Sequence, residues 1–98
     1  MRLGDLATAG LTFAAEAGAT AITGIASDSR AVGRGFLFAA LPGATADGAA
    51  YVGDAVRRGA VAVLAGTGVA LDLPPGVVRV TADDPRRALA LVAARFYP

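Results

Sequence analysis

Residues 27–48 read Ser27-Asp28-Ser29-Arg30-Ala31-Val32-Gly33-Arg34-Gly35-Phe36-Leu37-Phe38-Ala39-Ala40-Leu41-Pro42-Gly43-Ala44-Thr45-Ala46-Asp47-Gly48. Small polar residues open the stretch in the manner of a turn, because Ser and Asp side chains bond neighbouring backbone groups. The unbroken apolar run of residues 36–41, bounded by Gly35 and Pro42, marks a strand buried on both faces. Pro42 and Gly43 set a second turn, and Asp47 stands where a helix cap belongs. Two polar turns thus flank one buried strand and are placed to face the same side of a sheet.

Working outward, residues 2–9 form a short helix candidate with Leu3 and Leu6 on one face and Gly10 as its stop. Residues 11–18 suit either state, since alanines favour helix while Thr12 and Phe13 suit an extended chain. Residues 20–27 read as a strand with a slip in alternation at Gly24. Beyond the quoted stretch, Tyr51, Val52, Ala55 and Val56 recur at helical spacing across residues 48–58, and Gly59 supplies a left-handed stop. Residues 61–65 and 77–81 are two further strands, joined by a surface connection that holds Pro74 and Pro75. Asp83-Asp84-Pro85 opens a last helix, with Leu89, Val92, Ala93 and Phe96 at i, i+3, i+4 and i+7, running to about residue 97. Strands separated by helices predict an α/β fold, a small layered domain with a mostly buried sheet flanked by helices.

At 98 residues the chain is one domain at most, residues 1–98. Apolar residues make up 55% and charged ones 17%, which excludes a disordered chain. The longest apolar runs fall far short of the ~20 residues that span a bilayer, and Asp5 interrupts any signal-like N-terminal core. A soluble, cytoplasmic protein with no membrane partner is expected. The absence of cysteine excludes disulfides, and the absence of histidine removes the usual proton shuttle and the commonest metal ligand. No metal site is expected. All nine basic residues are arginine. Without lysine the chain can build neither a Walker-type phosphate loop nor a Schiff base. Net charge is +1, with no basic cluster beyond Arg57-Arg58 and Arg86-Arg87, so nucleic acid is not an expected partner.

On chemistry alone the first turn has two readings. In the plainer one, Asp28 accepts backbone N–H bonds and Arg30 pairs with a carboxylate, as many surface turns do. In the other, Ser27 and Ser29 offer hydroxyls to a ligand held close by small residues. The second turn, Gly43-Ala44-Thr45-Ala46, is likewise either a simple connection or a backbone cradle helped by a helix N-terminus near Asp47.

Four spaced elements carry a resemblance: Asp28-Ser29-Arg30, then Gly35-Phe36-Leu37-Phe38-Ala39-Ala40-Leu41-Pro42-Gly43, then Asp47-Gly48, then Gly59-Ala60. In this order they resemble the N-terminal domain of Mur ligases of the MurE and MurF types, the ATP-dependent enzymes that extend the peptidoglycan stem peptide. The run Asp84-Pro85-Arg86-Arg87-Ala88-Leu89-Ala90 followed by Arg95-Phe96-Tyr97-Pro98 is similar to the MurE type. The resemblance implies that residues 1–98 are the UDP-substrate-binding domain of a longer ligase, with the central ATP-binding and C-terminal domains outside this sequence. It places the contacts to the UDP moiety on Ser27, Ser29, Ala44, Thr45 and Ala46, with Asp28, Arg30, Gly43 and Asp47 organising the turns. No catalytic residue falls in the chain. Many members carry histidine or glutamine just after the glycine equivalent to Gly43 and histidine after the Asp-Gly; here Ala44, Thr45 and Ala49 stand there, so contacts are expected from backbone.

The parent enzyme implied by the resemblance forms an acyl phosphate on the D-Glu of UDP-MurNAc-L-Ala-D-Glu and couples it to a diamino acid such as meso-diaminopimelate. Its partners are that UDP-MurNAc-dipeptide and the other domains of its own chain. Mg and ATP serve the parent; the 98 residues hold no cofactor and are expected to be inactive alone. Two alternatives stay open: the matching domain of a MurF-type, D-Ala-D-Ala-adding ligase, and a free-standing nucleotide-binding or interaction module. The helix running directly into Pro98 is expected to mark a boundary inside a longer protein.

Overall fold

In the computed structural model, which describes residues 1–41 and 48–97, the apolar run after Gly35 forms the second of four parallel strands. These are β1 (Gly24–Ala26), β2 (Phe36–Ala39), β3 (Ala62–Gly66) and β4 (Val78–Ala82). They pair in sequence order, with Gly24 against Phe36, Leu37 against Ala62 and Ala62 against Val78.

Period-two alternation sends each strand's side chains to two cores. Leu37, Ala39, Ala62, Leu64, Val80 and Ala82 face one side, where Leu3, Leu6, Ile22, Ala88 and Val92 cover them. Phe38, Ala40 and Val63 face the other, packed with Val32, Val52, Ala55 and Ala60. The first side is roofed by the N-terminal turns and by helix α2 (Pro85–Phe96). The second is roofed by the strand crossovers, including helix α1 (Val52–Arg57). A sequentially ordered parallel sheet whose crossovers keep one hand must carry them all on one face. Burial on both faces explains why β2 and β3 are continuous apolar runs rather than alternating ones.

Several expected elements take a tighter form. Residues 3–9 and 15–19 are 3-10 turns, Leu3–Ala9 and Ala15–Ala19, rather than α-helix. The helix expected over residues 48–58 divides into a 3-10 turn, Gly48–Tyr51, and α1. The strand expected over residues 20–27 shortens to Gly24–Ala26, because residues 20–22 are engaged elsewhere. The Leu3 N–H donates to the Thr20 carbonyl at 2.8 Å and the Ile22 N–H to the Met1 carbonyl, so this segment clasps the N-terminus instead of extending β1. The slip at Gly24 has a steric cause. A Cβ there would lie 2.5 Å from the Phe36 ring, its cross-strand partner. The last helix forms as expected: Pro85 occupies its first turn and the Asp84 carboxylate accepts the Arg87 N–H at 3.1 Å.

Candidate functional site

The parallel register Ala26 to Phe38 puts the exits of β1 and β2 at one edge of the sheet. The two polar segments therefore leave the carboxyl ends of neighbouring strands rather than the two ends of one. This is the edge where open parallel sheets bind ligands.

The first exit turns sharply. Asp28 caps a 3-10 turn, Ser29–Ala31, and its Oδ1 accepts the Arg30 backbone N–H at 2.9 Å. The Arg30 side chain folds back on the same carboxylate, with Nε to Oδ1 at 3.1 Å and Nη2 to Oδ2 at 2.8 Å. Asp28 and Arg30 thus bond each other across the turn. The Arg30 side-chain and backbone hydrogen bonds hold the Asp28 carboxyl at about 2, below its ordinary 3.8. Side-chain exposures of 51% for Asp28 and 81% for Arg30 leave the pair screened by water, so it shapes the loop more than it stabilises the fold.

A pH dependence follows from the sign of that shift. A carboxyl depressed in the folded state contributes stability that is full above its unfolded value of 3.8 and is lost as pH falls toward about 2. Asp28→Asn should therefore lower stability at neutral pH and flatten the acid limb, the two proteins converging as pH falls toward about 2. Urea melts at stepped pH check this; identical acid limbs would contradict the pairing.

Ser29 departs from expectation. A turn hydroxyl near the surface is the natural reading of its sequence, yet Ser29 is buried, at 5% exposure. The carboxyl of Asp54 on α1 is drawn below the usual carboxylate range, first by the nearby Ser29 hydroxyl and then by Arg58. The Arg58 Nε donates to Asp54 Oδ2 at 3.0 Å, and Arg57 Nη2 lies 3.9 Å from Oδ1. Asp54 thus sits among Ser29, Arg57 and Arg58 and lines the space beside the first turn. Sequence reasoning missed it, because an Asp four residues before an Arg on a helix reads as a solvated surface pair.

Between turn and helix lies an open groove of about 910 Å³. Ser27, Asp28, Ser29 and Arg30 form one wall; Ala50, Tyr51, Gly53, Asp54 and Arg57 form the other. Its size suits a small organic ligand. Ser27 is exposed at its mouth, and Tyr51 presents a half-exposed ring near enough to Arg30 to act on its charge. Of the residues the sequence assigned to a ligand, Ser27 and Ser29 come together here. Gly43, Ala44, Thr45, Ala46 and Asp47 lie outside the described residues. Among the described residues no three His, Cys, Asp or Glu side chains gather as a metal site would require, and no helix is long and apolar enough to cross a membrane.

Comparison with known proteins gives this geometry a context. The family described as "Mur ligase family, catalytic domain" matches residues 21–97. The UDP-N-acetylmuramoyl-L-alanyl-D-glutamate--2,6-diaminopimelate ligase of Brucella melitensis is 53% identical over 97 residues, covering 99% of this chain and 20% of that protein. The ligase of the same name from Chelativorans sp. is 52% identical with the same coverage. Among solved structures, MurF from Acinetobacter baumannii matches with a TM-score of 0.59 and 26% identity, over 74% of this chain and 15% of that one. The chain spans about a fifth of the length of the curated relatives it matches. With residues 21–97 matched by the family and half of all positions shared with its relatives, the chain belongs to the Mur ligase family.

Proposed function

We propose that this chain anchors the UDP end of UDP-MurNAc-L-Ala-D-Glu for a cytoplasmic, ATP-dependent ligase of the MurE type that adds a diamino acid, with 2,6-diaminopimelate favoured by the names of its relatives. The observation that carries the reading is the groove at the carboxyl edge of β1 and β2, walled by a small-residue turn and by Tyr51 and Arg57.

Uracil presents one N–H between two carbonyl oxygens, so its reader needs small hydroxyls and backbone groups at close range. Ser27 and Ser29 supply the hydroxyls, and Ala44, Thr45 and Ala46 supply backbone from the second exit. The Ser29 oxygen has acceptor capacity for a ligand N–H. Arg57, with a 74% exposed side chain at the groove, offers charge toward a diphosphate.

The domain contributes position rather than chemistry. Holding the nucleotide end of an extended substrate fixes where its distant D-Glu carboxylate lies, and well-oriented reactants gain rate through entropy already lost on binding. Mg and ATP supply activation of that carboxylate in the parent enzyme. The residues present here do not fit them: the chain has no lysine, and Asp28 and Asp54 are both engaged by arginines. ATP binding therefore belongs to regions beyond these residues, and the chain alone is expected to turn over no ATP.

The MurF-type alternative shares the fold of the Acinetobacter structure, but the Brucella and Chelativorans relatives, about half identical to this chain over the aligned residues, are named as 2,6-diaminopimelate ligases. Titration of the chain with UDP, read at individual backbone amides, tests the anchoring role. Assaying the whole protein with UDP-MurNAc-dipeptide against UDP-MurNAc-tripeptide separates the two ligase types.

A further inference from the structure

Gly53 is a glycine that the fold does not call for. It is the second residue of α1, with helical backbone and an exposed surface. A glycine inside a helical run weakens it relative to residues with straight side chains. Among the described residues a Cβ at position 53 would meet one side-chain atom, the Arg57 Nη1, at 3.4 Å. Helical side chains lean toward the N-terminus and residues four apart share a face, so the Arg57 guanidinium lies back along α1 over the bare Gly53 backbone. Both residues line the groove. The charges around Arg57 leave it loosely held. Arg30, on the other wall, is taken up by Asp28 through side-chain bonds of 2.8 and 3.1 Å. Asp54 is engaged by the Arg58 Nε at 3.0 Å, while Arg57 Nη2 stands 3.9 Å from its other oxygen, beyond hydrogen-bond reach.

We infer that Gly53 and Arg57 form a specificity pair: the bare glycine keeps open the path by which the guanidinium reaches the groove, and Arg57 there makes the groove prefer a nucleoside diphosphate to the bare nucleoside. The inference rests on the uridine reading of the groove and adds which residues set its preference for phosphate. A guanidinium can donate paired N–H bonds to phosphate oxygens, and charge-assisted bonds of this kind are stronger than neutral ones. A side chain at position 53 would take the space beside Nη1 and turn the guanidinium out to solvent, where its pull on a ligand is screened. Substitution there strengthens the helix and weakens the ligand, so stability and affinity move in opposite directions. A glycine required only by the fold would lose both together.

The test uses the full-length ligase, with uridine and UDP as competitive inhibitors against the UDP-MurNAc-dipeptide. UDP should inhibit the wild-type enzyme about tenfold or more better than uridine. In Arg57→Ala that ratio should fall to within about threefold, with uridine inhibition unchanged, KM for the dipeptide raised and kcat little altered. Arg57→Lys keeps the charge without the fork and should recover part of the ratio. Gly53→Leu should give the same fall in ratio with a melting temperature at or above that of wild type, and Gly53→Gln is a second replacement with the same expectation. Arg87→Ala removes one positive charge from α2, outside the groove lining, and should keep the wild-type ratio. A wild-type enzyme that neither compound inhibits would refute the uridine reading itself. Inhibition by both without preference for UDP, or a preference that survives in Arg57→Ala, would leave that reading standing and overturn the role of Arg57. A preference that survives in folded Gly53 variants, or a melting temperature well below wild type in both of them, would overturn the role of Gly53. A ratio lost equally in Arg87→Ala would overturn the pair, since net charge would then account for the effect.

Discussion

Gly59→Ala is expected to lower the melting temperature of the chain by roughly 10–25 °C. Gly59 ends the helix-to-strand join between α1 and β3 with φ at +113°, a conformation that L side chains rarely adopt. A Cβ there would also lie 2.7 Å from the Arg34 Cα and 3.0 Å from the Arg34 N. Those are backbone atoms, so no side chain can swing aside. The Gly59 carbonyl meanwhile accepts the Gly35 N–H at 2.9 Å, locking the join to the start of β2. Strain and backbone displacement together cost about 2–4 kcal/mol, a large share of the stability of a chain this size. Gly68→Ala is the control: its φ is +86°, but nothing lies within 4 Å of the added methyl, so only the conformational cost remains. Thermal melts of both variants check this. Equal losses would mean that the close approach to Arg34 contributes nothing.

Phe38→Ala is expected to cost about 3–5 kcal/mol, the range for emptying a fully buried aromatic site. Phe38 is 1% exposed and centres the core formed with Val32, Val52, Ala55 and Val63. Its neighbours are small alanines and β-branched valines, which have little freedom to collapse into the void. The loss reaches the candidate site, because that core seats α1, and α1 carries Asp54 and Arg57 of the groove lining. Phe36 is the comparison. It is only partly buried, with its ring over Gly24, so Phe36→Ala should lose clearly less. Urea unfolding of the pair decides the matter, and similar losses would contradict the difference in burial between the two rings.

Local patterns in the sequence carried most of the sheet. The runs at residues 36–41 and 61–65 could be read as strands because burial on both faces leaves nothing but apolar side chains. The Asp84-Pro85 start of α2 could be read because capping chemistry is confined to adjacent residues. The two N-terminal turns were less legible. Alanine and glycine leave helix type to tertiary packing, and here the Gly4 and Gly18 backbones approach so closely that a Cβ on Gly4 would meet the Gly18 oxygen at 3.1 Å. The length of β1 was hidden for a similar reason: residues 20–22 bind the N-terminus, a pairing that no local pattern announces. At the site, Asp28 and Arg30 were legible because their bonds close within two residues. The groove that brings Ser29 and Asp54 to one lining joins residues 25 apart in the chain, and neither residue's surroundings in sequence suggest it.

The claim that the carboxyl edge of β1 and β2 anchors a uridine nucleotide is tested most directly by titrating the 98-residue chain with UDP and following its amide resonances. Binding at millimolar concentration is expected, about −4 kcal/mol, because the chain carries only a fifth of the length of its relatives. The account predicts shifts at Ser27, Ser29, Tyr51 and Asp54 and at residues 44–46, with little change on the opposite face of the sheet. Shifts confined to the Arg86-Arg87 end of α2, or none anywhere at saturating UDP, would contradict it.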